Sequence, residues 1–590
     1  MMAVLFFDSM VYKMDDPSNA ACDRFILSKG HACPALYGAW IEAGFYPESD
    51  LDKVRSFGCD LEGHPTPRLR EIDVATGSLG QGLSVAAGMA FVGKYIDKAP
   101  YKVFCMMGDG ESQEGSVWEA LSFGSFYKLN NLIPIFDINR LGQSDPTMLQ
   151  HDMEAYRARV ESFGWRAFII DGHDVCSIVS AFREARKSDV PTCILAKTFK
   201  GHGIPDIEDV MGWHGKPLNK DQAHKAIEAL KYRMSEPEAA FSCTHGMKPH
   251  EPTWTVAPAC DYTKVKLAEP LTYNLGDKVA TRAAYGTALL KLGAGCDRVM
   301  AFDAEVKNST MTLNFKNKYP GQFVECFIAE QNLVGAATGA ACRDRAVVFA
   351  STFAAFFSRA YDQLRMGCIS QTNLNLCGSH AGVSIGSDGP SQMALEDIAM
   401  FRALPTCTVF YPSDAVSCER AIELAAQTKG MTFTRTTRGA TPVIYKNDEP
   451  FAVGQAKIVR NAEKPSCVII GAGITLHESL AAAEELSKAG VETTVIDPFT
   501  IKPIDVKTIG AAVQAAGGNV VVVEDHYAEG GIGEAVMAGL TTGSKTPVHI
   551  SHFQHLCVRE VPRSGPDSTI LKEYGIDRTA IAAAVKNCGC

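Results

Sequence analysis

The sequence predicts an α/β protein of three consecutive doubly wound α/β domains, and three observations predict it. The first is the run VFCMMGDGESQEGSVWEALSFGSFYKLNNLIPIFDINRLGQS at 103–144. It reads as an apolar strand, a Gly-Asp-Gly turn, a helix carrying Val117, Trp118, Ala120 and Leu121, and a second apolar strand ending at Asp137-Ile138-Asn139, which is a βαβ unit. The second is that apolar strands, glycine turns and amphipathic helices go on alternating to the end of the chain. The third is length: 590 residues are too many for one core, while 46% hydrophobic and 21% charged residues suit an ordinary globular protein.

The net charge of -10 argues against a nucleic acid as main partner. No apolar run approaches a membrane span, and MMAVLFFDSM lacks the basic flank of a signal peptide, so no membrane partner and a cytoplasmic location are expected. The 19 cysteines are scattered through apolar segments, as at Cys105, Cys193, Cys326 and Cys377, which reads as reduced core residues.

Taken in order, MMAVLFF is apolar from its first residue, like a helix entered midway. SKGHACPALYGAW (28–40) puts Lys29 and His31 on a turn before a helix, and DLEGHPTP (60–67) puts His64 in a proline-fixed turn. VATGSLGQGLSVAAGMA (74–90) is a glycine-rich lead into a small-residue helix, which exposes backbone N–H groups to an anion or lets another chain pack closely. WRAFIIDGHDV (165–175) and TCILAKTFKGHG (192–203) read as two more strands, and WHGKP (213–217) follows. The first domain is assigned to residues 1–235 and an irregular linker to 236–277.

The second domain, 278–445, takes its strands from VMAFDAE (299–305), FVECFIAEQN (323–332), AVVFAS (346–351), LNLCGSH (374–380), TCTVFYPSD (406–414) and MTFTRTTR (431–438). Glu330 is expected at the carboxyl end of one of them, capping a helix or buried for a purpose. The third domain, 456–590, opens on SCVIIGAGITLHESL; its Gly471-Ala472-Gly473 is read as a structural helix start, because Asp497 is poorly placed for a nucleotide ribose.

Parallel strands joined by a helix bring their carboxyl ends to one edge, so Asp109 and Asn139 can converge there. A carboxylate, an amide oxygen and a backbone carbonyl are hard oxygen donors that suit Mg²⁺, with phosphate and water oxygens completing its octahedron.

The ordered series LSKGHA, GHP, ATGSLGQG, GDGE, DINRLGQSD, KTFKGHG, WHGKP, DKVATRAAYG, KNST, AEQN, STFAAFF, GSHAGVSIGSDGPSQ, FYPSD, RTTR and VEDHY resembles the transketolases of animal type over almost the whole chain. The resemblance implies two thiamine-diphosphate-binding domains, a diphosphate-binding one and a pyrimidine-binding one, followed by a C-terminal domain without catalytic residues. It further implies a homodimer with active sites between subunits, and transfer of a two-carbon ketol unit between sugar phosphates. Asp109, Asn139 and the backbone of Leu141 would ligate Mg²⁺, with Ca²⁺ or Mn²⁺ as substitutes. Lys29, Gly77, Ser78, Leu79, Gly110, Asn139, Gln143, Lys200, His214, Glu305, Gln392 and the stacking pair Phe353 and Phe356 would hold the cofactor. Glu330 would bind its aminopyrimidine and manage the proton that starts catalysis. His31, His64 and His214 would join Glu330 in proton transfer, with His31, His64 and Asp388 also holding substrate hydroxyls. Arg282, Ser309, His380 and Arg438 would take the sugar phosphate.

Three departures from the family pattern are expected to matter. The family carries a Gly-Ser-Gly-His-Pro turn upstream of AVLFF; its lack implies bare apolar surface at MMAVLFF and a possible reading as a dimer partner of reduced activity. DAEVKNST stands where the family reads DGDTKNST: Ala304 replaces a glycine, which would strain the backbone by about 1 kcal/mol if that position needs positive φ, and Glu305 replaces an aspartate, adding a methylene at a crowded site. Ser387 replaces a glutamate at a dimer contact.

Overall fold

A computed structural model describes residues 1–235, 248–543 and 547–589. Residues 236–247 of the expected linker and the final Cys590 lie outside the described residues. The chain divides into two compact units, Met1–Ala259 with Val334–Arg345, and Cys260–Leu333 with Ala346–Cys590.

The first unit is built on a five-stranded sheet of β1 (Arg24–Leu27), β2 (Val103–Gly108), β3 (Leu132–Ile138), β4 (Arg166–Asp171) and β5 (Thr192–Lys197), in the order β1-β2-β3-β5-β4 with every pairing parallel. All residues of β1 and β2 are buried, as a strand covered on both faces requires. The glycine-rich segment forms the helix Gly82–Phe91, in which every residue is buried. Its close partner belongs to the same chain: a Cβ on Gly88 would lie 1.9 Å from the Ala336 carbonyl oxygen, and one on Gly339 1.9 Å from that of Val85. The opening residues coil into Met2–Val4 and Leu5–Ser9 and bury Val4, Leu5 and Phe6, so the bare apolar surface expected there is covered in this unit.

The second unit holds β6 (Lys278–Ala280) through β19 and contains two large sheets. In the seven-stranded one, β7 (Val299–Asp303), β8 (Phe323–Glu325), β9 (Val347–Phe353), β10 (Leu374–Ser379), β11 (Thr408–Phe410) and β12 (Thr432–Arg435) run parallel in the order β11-β12-β10-β9-β7-β8. β13 (Ala440–Pro442) pairs antiparallel with β6. The five-stranded sheet orders β14 (Lys457–Arg460), β16 (Thr493–Asp497), β15 (Cys467–Gly471), β18 (Asn519–Tyr527) and β19 (His552–Val558), with β14 antiparallel. β17 (Thr500–Lys502) leaves this region to pair antiparallel with β11, joining the two sheets in one unit.

Gly473 plays the structural part expected of it. At φ +59° its added Cβ would meet the Tyr411 ring at 2.5 Å, and its N–H donates to Ser413 Oγ. Across the same junction Arg435, fully buried, bonds the Asp397 carboxylate at 2.8 Å and the Asp525 carbonyl at 2.8 Å. Cys105, Cys193, Cys326 and Cys377 are free and buried, as read from the sequence.

Candidate functional site

Two clusters hold the expected site residues, one in each unit. In the first unit, β2 and β3 are in register at Gly108 and Asp137, which sets the carboxyl ends of the two strands side by side. Asp109, 3% exposed, accepts the backbone N–H of Gly110 at 2.8 Å, that of Arg140 at 2.6 Å and the Thr147 hydroxyl at 3.1 Å. Arg140 turns the chain at φ +62°, so that the Leu141 N–H donates to Asn139 Oδ1 at 3.1 Å. The Leu141 carbonyl accepts from Lys200 Nζ at 2.6 Å, and Lys200 Nζ also lies 3.1 Å from His214 Nδ1. The donor set offers one buried carboxylate, one amide oxygen and one carbonyl, which fits a Mg²⁺ that keeps phosphate and water oxygens. Among the described residues no group of three His, Cys, Asp or Glu could hold a metal by itself, so an ion here needs such outside oxygens.

Lys29 follows β1 and places Nζ 2.5 Å from Asp137 Oδ2. Burial opposes the ammonium, yet the Asp137 carboxylate carries its pKa above the usual lysine value; burial likewise opposes the Asp137 charge, and Lys29 brings that pKa down. The pair keeps both charges in a buried place. Asp137 was not picked out from sequence, although a lone carboxylate in the apolar strand LIPIFDI is the signal that could have found it. Lys29, His31, Asp137, Asn139, Lys200 and His214 line one cavity of about 500 Å³.

His64 opens instead on a neighbouring cavity of about 790 Å³ with Gly63 and Arg68, and Arg55 lines both cavities. Its turn interlocks with two others. Gly77 sits at φ +135°, where a Cβ would lie 2.9 Å from the His64 ring, and a Cβ on Gly30 would lie 2.8 Å from Gly77 N. Ser78 is half-buried, while Leu79 and Gln143 are exposed.

A second residue missed in the sequence, Glu111, ties these loops together. It is buried and accepts the Ser28 hydroxyl, the Gly80 N–H at 2.8 Å and the Gly108 N–H at 3.0 Å. Three motifs far apart in sequence thus converge on one carboxylate. Burial pushes its pKa up, and the donated hydrogen bonds work against that rise.

His31 packs against His214 with ring centroids 4.8 Å apart. Burial, then the Lys29 charge, lowers the His31 pKa to about 4; burial and Lys200 lower that of His214. His380 in the second unit is likewise pushed down to about 4 by burial, then by Arg282 and Arg438. Their linkage has a definite sign: the folded chain holds both rings neutral where an unfolded chain protonates them. Stability is therefore whole above pH ~6.5, the unperturbed histidine value, and is lost as pH falls from there toward about 4. Urea unfolding measured across that window is expected to show this slope, and His31→Gln with His380→Asn to flatten it.

In the second unit Glu330 is 5% exposed. The expected strand stops at Glu325, and Glu330 is instead the first residue of the helix Glu330–Ala341. Apolar residues at 326–329 extended the pattern past the last ladder pairing, which is why the sequence read too long a strand. Arg359 Nη1 donates to Glu330 Oε1 at 2.9 Å, and its guanidinium lies over the Phe356 ring at 5.2 Å. Phe356 stacks on Phe353 at 5.1 Å, and Phe353 on His380 at 4.0 Å with ring planes 12° apart. Carboxylate, guanidinium, two phenylalanines and an imidazole thus form one continuous ladder. Neither Arg359 nor its role was foreseen.

At the His380 end, Arg282 Nη1 donates to the Ser309 carbonyl at 2.9 Å. Arg438 Nη1 pairs with Asp388 at 3.0 Å and donates to the Ile385 carbonyl at 3.1 Å. Burial and then the neighbouring Arg438 lower the Arg282 pKa, and Arg282 Nε is buried with no hydrogen-bond partner among the described residues. Two neighbouring guanidiniums, of which only Arg438 is paired with a carboxylate and Arg282 keeps one buried N–H unspent, form a basin for an anion. Gln392 bonds within its own loop, accepting from Ser391 Oγ at 2.7 Å.

Glu305 takes φ +69° and reaches toward Lys307 at 3.4 Å. The strain expected at Ala304 therefore falls one residue later: Ala304 is buried and outside the left-handed region, while Glu305 carries the cost of about 1 kcal/mol.

Parallel sheets, a GDG turn whose carboxylate meets an Asn at the next strand end, and a buried Glu at a helix start beside stacked rings define an α/β protein of the thiamine-diphosphate-binding class. Family descriptions agree: "Transketolase, thiamine diphosphate binding domain" matches residues 1–250, "Transketolase, pyrimidine binding domain" 277–443 and "Transketolase, C-terminal domain" 454–581. The chain is 54% identical over 585 residues to transketolase of Mus musculus and likewise of Homo sapiens, covering 99% of this chain and 92% of each relative. It is 52% identical over 584 residues to transketolase-like protein 2 of Homo sapiens, covering 99% and 91%. In fold it matches transketolase from Campylobacter jejuni with a TM-score of 0.82 at 21% identity, covering 99% and 93% of the two chains. It matches Pichia stipitis transketolase in complex with sedoheptulose 7-phosphate with a TM-score of 0.82 at 21% identity, covering 99% and 92%. The chain belongs to the transketolase family.

Proposed function

We propose that the protein is a transketolase that moves a two-carbon ketol unit from a ketose phosphate, xylulose 5-phosphate or sedoheptulose 7-phosphate, to an aldose phosphate, ribose 5-phosphate or erythrose 4-phosphate. The pathway is then the non-oxidative pentose phosphate pathway, carried out by a cytoplasmic homodimer with its active sites at the subunit interface. Among the described residues no helix is long and apolar enough to cross a membrane. The domain division that goes with this reading is 1–235, 278–445 and 456–590.

The observation that carries it is the pair of arginines, Arg282 and Arg438, set beside His380 at the end of the aromatic ladder that leads from Glu330. When bound, thiamine diphosphate supplies the electron sink for cleaving and re-forming the carbon–carbon bond. The residues of this chain bind, orient and manage protons. Asp109, Asn139 and the Leu141 carbonyl would hold Mg²⁺, and Lys200 would balance phosphate charge. Glu330 would hydrogen-bond the aminopyrimidine of the bound cofactor, with Phe353 and Phe356 as its stacking wall. His31 and His214, kept neutral by burial and by neighbouring lysines, each offer a substrate hydroxyl one N–H donor and one ring-nitrogen acceptor.

The test is ketol transfer from xylulose 5-phosphate to ribose 5-phosphate, with and without thiamine diphosphate and Mg²⁺. Cofactor-dependent transfer is expected. No transfer with the cofactor bound would overturn the reading and favour a transketolase-like dimer partner. In the active enzyme Arg438→Ala is expected to raise KM for the phosphorylated donor about 10- to 100-fold, a loss of ~1.5–3 kcal/mol for a charge-assisted contact. A donor ketose without phosphate should keep its KM.

A further inference from the structure

The anion basin at the His380 end is made by two segments of the second unit: the loop 381–389, which follows β10 and carries Asp388, and the turn after β12, which carries Arg438. Two aspartates of the C-terminal region, where no catalytic residue is expected, each touch both segments. Asp525, buried on β18, accepts the N–H of Val383 at 2.7 Å and that of Ser384 at 3.4 Å, while its carbonyl accepts from Arg435 Nη2 on β12 at 2.8 Å. Asp567, the first residue of the helix Asp567–Glu573, sets one carboxylate oxygen against Gly386 in the loop. Its other oxygen lies 3.8 Å from the place a Cβ on Gly439 would take, directly after Arg438.

The loop takes its shape from these partners. Gly382, Gly386 and Gly389 are buried at φ +78°, +75° and +83°. A Cβ on Gly382 would run into the Asp525 carboxylate and one on Gly386 into Asp567, while one on Gly389 would stop 2.6 Å from Ser564 Oγ. The Gly565 N–H adds a bond to the Gly386 carbonyl at 3.4 Å. Positive φ lets the loop bend at all three points, and the missing side chains let the downstream residues close on it. Only Ser387, Asp388 and their neighbour Pro390 stand exposed along this stretch. Arg438 spends one nitrogen, Nη1, on both Asp388 and the Ile385 carbonyl, so the seat of the loop decides how that guanidinium lies.

We propose that Asp525 and Asp567 are positioning residues for the anion basin: by seating the 381–389 loop and the turn after β12 together, they fix Asp388 against Arg438 and so set the preference for a phosphorylated sugar. An unseated loop would let Arg438 turn away from the anion and leave the Asp388 carboxylate unpaired, where it repels a phosphate dianion. Neither aspartate needs to touch the substrate for this. The role rests on the ketol-transfer reading for its effect on kinetics, and on the contacts alone for its effect on the loop.

Asp567 is exposed, so Asp567→Ala leaves the core alone, and circular dichroism with a thermal melt checks the fold. The full-length protein, loaded with thiamine diphosphate and Mg²⁺, is assayed with xylulose 5-phosphate and with the same ketose lacking phosphate. In Asp567→Ala the ratio of kcat/KM for the two donors is expected to fall about 3- to 10-fold, through KM, with kcat for the phosphorylated donor within about twofold. Asp567→Asn keeps the side chain's bulk in its seat and should stay within about twofold of the parent ratio. In an Arg438→Ala background, Asp567→Ala should cost less than about a further twofold, because the group it acts through is gone. An unchanged donor preference in Asp567→Ala, or a full further loss in the Arg438→Ala background, would overturn the proposal. If the parent transfers no ketol unit, the functional reading falls, and hydrogen exchange of the unliganded protein still decides on the loop. Peptides covering 381–389 should exchange faster in Asp567→Ala than in the parent, and equal exchange would overturn the seating itself.

Discussion

Glu330→Gln is expected to lower kcat for ketol transfer by about 10²–10⁴-fold, the range that a positioned proton-transfer group contributes. The side chain keeps its volume at a position 5% exposed, and the helix Glu330–Ala341 keeps its first residue. What is lost is the carboxylate's ability to hold and release a proton. The Arg359 side chain that pairs with it is 58% exposed and stays solvated without its partner, so the stability change from the broken ion pair should be within ~1 kcal/mol. Arg359→Ala separates the two roles: if Arg359 only steadies the carboxylate, its removal should cost less than a tenth of the Glu330→Gln effect. Steady-state kinetics at saturating cofactor, with a thermal melt of each variant, decide the matter. A Glu330→Gln enzyme within tenfold of the parent kcat would remove Glu330 from the proton path.

Much of the first cluster was legible because its signals are local. A Gly-Asp-Gly turn between an apolar strand and a helix, with an Asn at the next strand end, leaves the chain little choice of topology, and Asp109 and Asn139 lie where parallel pairing of β2 and β3 puts them. Residues that act by tertiary contact were not legible. Lys29 was picked from its motif, but its partner Asp137 lies 108 residues away, and no local spacing links the two. Glu111 reads as an ordinary first-turn carboxylate until Ser28 and Gly80 are brought to it by folding. Arg359 reads as a surface charge, and most of it is one; only its guanidinium tip reaches Glu330. Boundaries failed where apolar character outran hydrogen bonding, as after β8, since Phe327 and Ile328 read as strand residues in a single sequence although they stand exposed in a loop. The Glu305 turn shows the same limit: a non-glycine residue at φ +69° cannot be told from sequence, and the glycine reasoning pointed to its neighbour.

Asp109→Ala is expected to abolish Mg²⁺-dependent binding of thiamine diphosphate, lowering cofactor affinity by more than about 100-fold, because it removes the only carboxylate of the proposed metal set. A second effect comes with it. The Gly110 and Arg140 N–H groups and the Thr147 hydroxyl all donate to this carboxylate, at 2.8, 2.6 and 3.1 Å, and Asp109 is 3% exposed. Stranding buried donors costs about 1–3 kcal/mol each unless water enters, so a stability loss of ~2–5 kcal/mol is expected from urea unfolding. Asp109→Asn divides the two effects. Its amide oxygen can still accept from the turn, while its NH₂ must face one of the same donors, so part of the stability should return. The charge that neutralises Mg²⁺ does not return with it, so cofactor affinity should stay low. Calorimetric titration of thiamine diphosphate at several Mg²⁺ concentrations reads the affinity directly. Parent-like affinity in Asp109→Asn would mean that the carboxylate serves the turn alone and that the metal is held elsewhere. Low affinity with recovered stability would place the loss at the ion, since the Arg140 turn that aims Asn139 and Leu141 would still be standing.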